Sequence, residues 1–427
     1  MAFRIGDDDR AILRLAVPAF GALAAEPVVA LVDTAFVGRL GEQSLAALGV
    51  VTALLHLAFF VFVALAYAST PLVARAIGAG DRRGAEALAG QILLIALVIV
   101  VVGVVVFETA AIGLVRLMGT AEEVETLAAS YLRIRGLGLP GILAITVGHA
   151  IYRGLGDTRT PMFISLGLSL INVILDPVFI YTFGWGLAGA GIASVVAQSS
   201  GGAMFVYLLL SGRTGLRIRW RVPRRHDMRG LIGAGSALFV RTLALVGTLT
   251  VAASAAARLG VSEVAAHHVA VQVWSLLYMV VDSLAIAAQN LVAVNLSRDP
   301  PAARRLSNRM LLWGVAWGSL IAVVFWTLGD TLPGWFTNDP SVVVLAASLM
   351  PFVALSQPLN SLVFVLDGIM IGAADFRFLA VAMVGASLLT CALLVVGGSL
   401  AGIWWAIVVL MVARFVPLGW RYLRVVG

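Results

Sequence analysis

The chain has 427 residues, 61% of them hydrophobic and only 12% charged, and a mean hydropathy of +1.02. Soluble domains carry roughly 25% charged residues, so this composition excludes a water-soluble globular protein and indicates an integral membrane protein. Every basic residue behind the formal charge of +7 is an arginine, and these gather in alternate loops rather than on one face, which marks membrane orientation and not a nucleic-acid groove.

The N-terminal MAFRIGDDDR lacks the basic start and small-residue cleavage site of a secretory signal, so the first apolar run is expected to remain as a membrane helix, with Asp7 to Asp9 suiting its start. Twelve apolar runs of spanning length follow one another, at roughly 11–37, 45–75, 87–115, 124–152, 160–182, 187–211, 229–257, 263–296, 303–329, 341–371, 376–396 and 399–420. Arginines crowd the even-numbered loops, such as Arg75, Arg82 and Arg83, and are sparse in the odd ones, represented by Arg39, Arg116 and Arg258. Both termini are therefore expected in the cytoplasm.

The first run, PAFGALAAEPVVALVDTAFVGRLG from Pro18 to Gly41, carries Glu26 and Asp33 within apolar surroundings. A carboxylate in hydrocarbon costs at least a few kcal/mol and persists where function or a buried partner holds it. These two acids are seven apart and share a helix face. Pro18 and Pro27 each remove a backbone donor, so a bend or hinge is expected there. In the fifth run, Asn172 and Asp176 share a face. From the outer helix ends, Asp33 lies ~6 Å deep, Asp176 ~9 Å and Ser194 of the sixth run ~10 Å, with Gln198 a turn deeper. Three helices thus place polar groups at one level. Two carboxylates close together in a low dielectric cannot both stay charged cheaply, so the pair suits a proton or a small cation near neutral pH. Asp33 and Asp176 are the predicted ion-coupling acids, with Asn172 and Ser194 as hydrogen-bonding partners and Glu26 as a second proton site or a cavity wall. The plain alternative is a static polar network joining three helices.

Other intramembrane polar groups suggest structural roles. Matching depths pair Arg241 with Asp282 and Glu108 with Arg135 as expected ion pairs. Gln198, Asp282 and Gln357 are candidates for a substrate cavity. His149 is expected to be structural, His267 and His268 interfacial, and Cys391 a small apolar filler. No His, Cys, Asp or Glu group has the spacing of a zinc or iron site, and no G-x-x-x-x-G-K-[ST] loop is present, so neither a resident metal nor direct ATP use is expected. No nucleophile–base pairing can be nominated, so an enzyme is not expected.

The basic stretch 212–228 separates an N-terminal lobe, 1–211, from a C-terminal lobe, 229–427, and reads as a cytoplasmic linker or an anionic-lipid site. Across it the sequence repeats. FVGRLGEQSLAALGV resembles AARLGVSEVAAHHVA at an offset near 219, and LGDTRTPMFIS resembles IGAADFRFLAV near 217, implying two six-helix bundles related by a pseudo-two-fold axis along the membrane normal. Asp33 aligns with Ala252 and Asp176 with Leu394, so the acids belong to the first bundle only. The loops around Asp157–Arg159 and Asp375–Arg377 fall at symmetric positions, as turn caps or as a cytoplasmic latch.

The segments LVDTAFVGRLGEQSLAALG, YRGLGDTRTPM, NVILDP, VAAHHVAVQVW and DGIMIGAADFRF together resemble the multidrug and toxic compound extrusion (MATE) transporters, and the last looks most like their DinF-like branch. The resemblance covers nearly the whole chain. It implies an all-α, V-shaped membrane protein with two six-helix lobes around a central cleft, exporting small organic, often cationic compounds against an inward proton or sodium gradient. It also implies that Asp33, Asn172 and Asp176 match the family's first- and fifth-helix ion residues and that Ser194 matches a sixth-helix hydroxyl. Sodium-coupled relatives would carry a seventh-span glutamate where this chain has Arg241, which favours the proton. The expectation is a monomeric, proton-coupled efflux antiporter of the inner membrane. A lipid or lipid-linked precursor flippase is the alternative, and a gated pore, a receptor and a major-facilitator fold are disfavoured.

Overall fold

The structure is a computed structural model that describes all residues except 1–5, 120, 214, 215, 217, 219–224, 338, 397 and 427, and all side chains among these except those of residues 26, 28, 60, 61, 63, 64, 225–228, 276 and 277. The described chain is helical almost throughout. Ten helices are individually long and apolar enough to cross a membrane. They are α1 (Asp7–Gly38), α2 (Glu42–Gly78), α3 (Arg82–Leu117), α6 (Arg159–Pro177, continued by a π-helical turn, Val178–Thr182), α7 (Gly186–Leu210), α8 (Arg225–Leu259), α9 (Val261–Arg298), α10 (Pro300–Leu328), α13 (Phe376–Val396) and α14 (Leu400–Val425). Two further spans are bent pairs: α4 (Glu122–Gly136) with α5 (Leu139–Gly154), bent by 48°, and α11 (Pro340–Leu355) with α12 (Gln357–Gly372), bent by 52°. The twelve spans coincide with the twelve apolar runs, and the protein is a multi-pass membrane protein.

The bends have a local cause. Pro140 and Pro358 stand in the first turn of α5 and α12. Neither can donate to the carbonyl four residues earlier, and each ring clashes with it, so a continuous helix breaks there. The two prolines are 218 positions apart, so the break itself follows the sequence repeat. Loop chemistry repeats too. Asp81 caps α3 by accepting from the Gly84 amide, and Asp299 caps α10 by accepting from that of Ala302.

The chain divides into two compact units, one formed by Gly21–Leu231 and the other by residues up to Phe20 together with Ile232–Gly427. The boundaries fall inside α1 and α8, so they differ from the sequence-based limits by the first turns of those two helices. In the first unit, Leu216 and Leu231 join a core that runs through α2, α3, α4, α5 and α7. Residues Ile12, Leu15, Ala16 and Ala19 of α1 are buried in the second.

Packing between apolar helices in lipid relies on close backbone approach through small residues. At Gly141 of α5, an added Cβ would stand 2.6 Å from the Gln198 carbonyl of α7. Gly141→Ala should therefore push α5 from α7, costing about 1–3 kcal/mol and lowering the thermal midpoint of the detergent-solubilised protein. Gly167→Ala, whose Cβ meets nothing within 4 Å, should leave that midpoint unchanged or higher.

Candidate functional site

The C-terminal half of α1 is held in the first unit by its far end. The Tyr181 hydroxyl donates to the Phe36 carbonyl at 2.7 Å, and the two rings meet edge to face at 6.1 Å. Tyr181 lies in the π-helical turn that follows Pro177 directly, one of the local irregularities that recur at functional sites. Between these fixed points α1 presents Asp33 and α6 presents Asp176.

The two carboxyl groups lie side by side, within hydrogen-bonding reach of one another. Asp176 is 0% exposed, Asn172 one turn earlier 2% and Ser194 of α7 4%. The Asn172 Nδ2 donates to Ser194 Oγ at 3.5 Å. Neither Asp176 oxygen, nor Oδ1 of Asp33, nor Oδ1 of Asn172 receives a hydrogen bond from a described residue. Four buried acceptor atoms at this site thus have no donor among the described residues. A buried acceptor left unmatched costs about 1–3 kcal/mol or more, so the arrangement suits a bound proton or cation.

Arg135, in the last turn of α4, acts electrostatically on both acids, and its Nη1 reaches Gln198 Oε1 at 3.5 Å. This corrects the expected Glu108–Arg135 pair, which does not form. Arg133 is the one that turns toward α3, where its Nε donates to the Glu108 carbonyl at 3.3 Å. Residues two apart point to nearly opposite sides of a helix, so Arg135 faces the acids because Arg133 faces α3. Depth alone could not separate the two arginines. Tyr131, one turn before Arg135 and buried, also borders both acids.

Other sequence-predicted residues are more dispersed. The Glu26 side chain lies outside the described side chains. The helix α1 runs uninterrupted through Pro18 and Pro27. Gln357 is buried at the α11–α12 break, where its Nε2 donates to the Val353 carbonyl at 2.8 Å, so its amide serves the bend. His149 is half-buried against Phe205, whose ring is 5.2 Å away, with Nε2 3.2 Å from Ser165 Oγ. His267, near the start of α9, is 3% exposed and packs on Trp404. His268 is exposed beside Gln272. Cys391 is partly buried against Thr248. Asp157 caps the first turn of α6, accepting from the Arg159 and Thr160 amides at 2.9 and 3.0 Å, whereas Asp375 pairs with Arg421 at 2.6 Å.

Known proteins place this architecture. The MatE family model matches residues 18–178 and 237–396, most of the chain. Protein DETOXIFICATION 44, chloroplastic, of Arabidopsis thaliana is 33% identical over 98% of this chain and 82% of its own length. The chain belongs to the MATE family of transporters. Multidrug resistance protein PmpM of Pseudomonas aeruginosa is 27% identical over 88% of this chain and 80% of its own. The fold matches that of an outward-facing multidrug resistance MATE family transporter with a TM-score of 0.91, at 23% identity over 98% of this chain and 96% of that one. As a MATE protein the chain is a transporter and not an enzyme.

The MATE chain also carries a second buried charge cluster that the sequence reading left incomplete. Arg241 of α8 pairs with Asp367 of α12, and Arg414 of α14 pairs with the same carboxylate. Arg414 is 1% and Asp367 4% exposed. The depth match that set Arg241 beside Asp282 did not name Asp367, the carboxylate that lies between two arginines. The signal was available: Asp367 and Arg414 are charges inside the tenth and twelfth apolar runs. At the repeat positions of Asp33 and Asp176, Ala252 and Leu394 are buried apolar residues, so the second unit has no counterpart of the carboxyl pair there.

Proposed function

We propose that this MATE protein is a proton-coupled efflux antiporter of small organic, often cationic compounds. The observation that carries the reading is the juxtaposition of Asp33 and Asp176 in a buried site where no described residue donates to them. Two adjacent carboxylates become comfortable when one proton lies between them or a small cation neutralises both. Sodium would satisfy the charges as well, yet Asn172 Oδ1 and Ser194 Oγ supply few further oxygens at this level, and α8 brings Arg241 into its membrane span instead of an acid. The proton fits better. The names of two bacterial relatives, multidrug resistance protein PmpM of Pseudomonas aeruginosa and probable multidrug resistance protein NorM of Thermotoga maritima, support drug-like cargo.

In this reading a proton from outside neutralises the pair, the cost of burying that face of α1 falls, and α1 repacks around Pro18 and Pro27. Repacking and cargo binding favour different states of one equilibrium, which is the requirement for exchange. The arginine-rich even-numbered loops support cytoplasmic termini, and in this reading the protein works as a monomer in the inner membrane. The test is reconstitution in liposomes with a cationic dye. Efflux should follow an imposed pH gradient without sodium. Sodium dependence without proton dependence would reverse the choice of ion, and dye-independent lipid movement would favour a flippase.

A further inference from the structure

The carboxyl pair has a third charged neighbour, and its placement is unusual. Arg135, partly buried in the last turn of α4, acts electrostatically on Asp33 and on Asp176. Yet it donates to neither Asp176 oxygen and not to Oδ1 of Asp33. A structural ion pair closes, as Arg414 and Asp367 do in the second unit. Arg135 is seated against α7 instead. Its Nη1 reaches Gln198 Oε1 at 3.5 Å, and Gln198 stands one turn beyond Ser194. This end of α4 lies tight on α7: a Cβ added at Gly191 would stand 3.0 Å from Tyr131 Cε2, and one at Gly138 2.8 Å from the same Gln198 oxygen. Helix packing thus fixes where the positive charge sits and leaves the carboxyl oxygens open.

Charge balance at the site is simple. Among the described side chains, the titratable groups that border the pair are Arg135 and Tyr131, both of α4. Beside Asp176 itself, α6 and α7 bring the uncharged Asn172, Ser194 and Gln198. With both acids ionised the site carries a net negative charge. One proton brings it to neutrality, and a second would leave it positive. In a low dielectric the neutral state is the least costly. Without the arginine, the singly protonated pair would keep an unbalanced carboxylate.

We propose that Arg135 is a positioning residue for ion exchange: its fixed charge offsets one of the two carboxylates, so that a single proton completes the site and a single proton leaves it. The inference rests on the proposed proton exchange at the pair and adds the number of protons to it. A positive neighbour also weakens an acid's hold on a proton, which favours release on the cytoplasmic side.

The experiment uses the full chain in liposomes. Efflux of a cationic dye is followed at a constant pH difference over a series of absolute pH values, and dye binding is measured on the detergent-solubilised protein. Arg135→Gln should move the pH of half-maximal efflux upward by about one unit, a tenfold tighter hold on the proton and the lower end of what one neighbouring charge does to a carboxylate. Dye affinity should hold. Arg135→Lys keeps the charge and should keep the profile. Arg133→Gln, on the side of α4 that faces α3, should keep it too. A second variant tests the balance itself. Asp33→Asn leaves one acid against one arginine, a site already neutral without a proton. Adding Arg135→Gln restores a site that one proton neutralises, so pH-dependent efflux should return in the double variant. An Arg135→Gln profile that matches wild type, or an Arg135→Lys profile displaced as far as that of Arg135→Gln, overturns the proposal. If Arg135→Gln does not fold, the double variant decides, and a folded but inactive double variant overturns the proposal as well. Asp33→Asn alone separates the two ideas. If it transports at the wild-type rate, the carboxyl pair is not the exchange site; if it is inactive while Arg135→Gln keeps the wild-type profile, the role of Arg135 alone fails.

Discussion

Asp176→Asn is expected to abolish pH-driven efflux while leaving the protein folded, and Asp33→Asn to do the same. The amide keeps the shape of the carboxyl but cannot take up and release a proton. With Asp176 fully buried and neither oxygen receiving a donor from a described residue, the substitution changes its contact with Asp33 alone among the carboxyl contacts described above. The thermal midpoint should hold or rise, because a conflict between two acids disappears. Transport should fall by about 5–150-fold, the range of a typical energetic linkage between two ligands, and what remains should no longer vary with the imposed pH gradient. Dye efflux at several gradients, with thermal unfolding of the same preparations, checks both halves. If the variants are inactive because they are unfolded, the pair is a packing element. If they transport at the wild-type rate, the exchange site lies elsewhere. Ser194→Ala should be milder, since the hydroxyl meets Asn172 only at 3.5 Å.

Much of this architecture was legible because the bilayer imposes a simple rule: apolar runs of sufficient length span it, and arginine counts orient them. The twelve runs and their repeat needed nothing more. The acid pair was legible for a related reason, since charge inside an apolar run is costly and few residues break the rule. Partner choice was harder. Depth along a helix is readable from a 1.5 Å rise, but azimuth is not when helices bend. Arg133 and Arg135 sit at similar depth, and only the packing of α4 on α3 turns the first toward Glu108 and leaves the second for the acids. The α4–α5 break could have been anticipated from Pro140, as its repeat at Pro358 could from the same reasoning. The packing of His267 on Trp404 was not readable for lack of a rotational reference, since its neighbour His268 is exposed. The Asp9–Arg309 ion pair escaped because an acid in a first helical turn already has a sufficient local explanation, and Arg309 is 300 residues away.

The second large effect is expected at Asp367. This one carboxylate answers two guanidiniums, Arg241 and Arg414, and the latter is 1% exposed. Asp367→Asn would leave Arg414 in a low-dielectric interior with the Met411 sulfur and the Phe364 ring beside it as softer partners. Breaking a buried pair by removing one member costs about 3–5 kcal/mol, most of it the penalty on the charge left behind. The thermal midpoint should drop accordingly, and further than for any single change at the acid pair of the first unit. Removing the stranded charge as well, with Asp367→Asn and Arg414→Gln together, should recover part of the loss, a non-additivity that a double-mutant cycle reads directly. The partly exposed Asp375–Arg421 pair supplies the contrast, with side chains 19% and 34% exposed. Solvent screening limits its worth to about 1 kcal/mol or less, so Arg421→Gln should scarcely move the midpoint. Equal losses for Asp367→Asn and Arg421→Gln would mean that the C-terminal cluster is far better hydrated than its burial implies. A loss confined to Asp367→Asn would mean that the second unit spends its buried charges on holding α8, α12 and α14 together, and leaves exchange to the first.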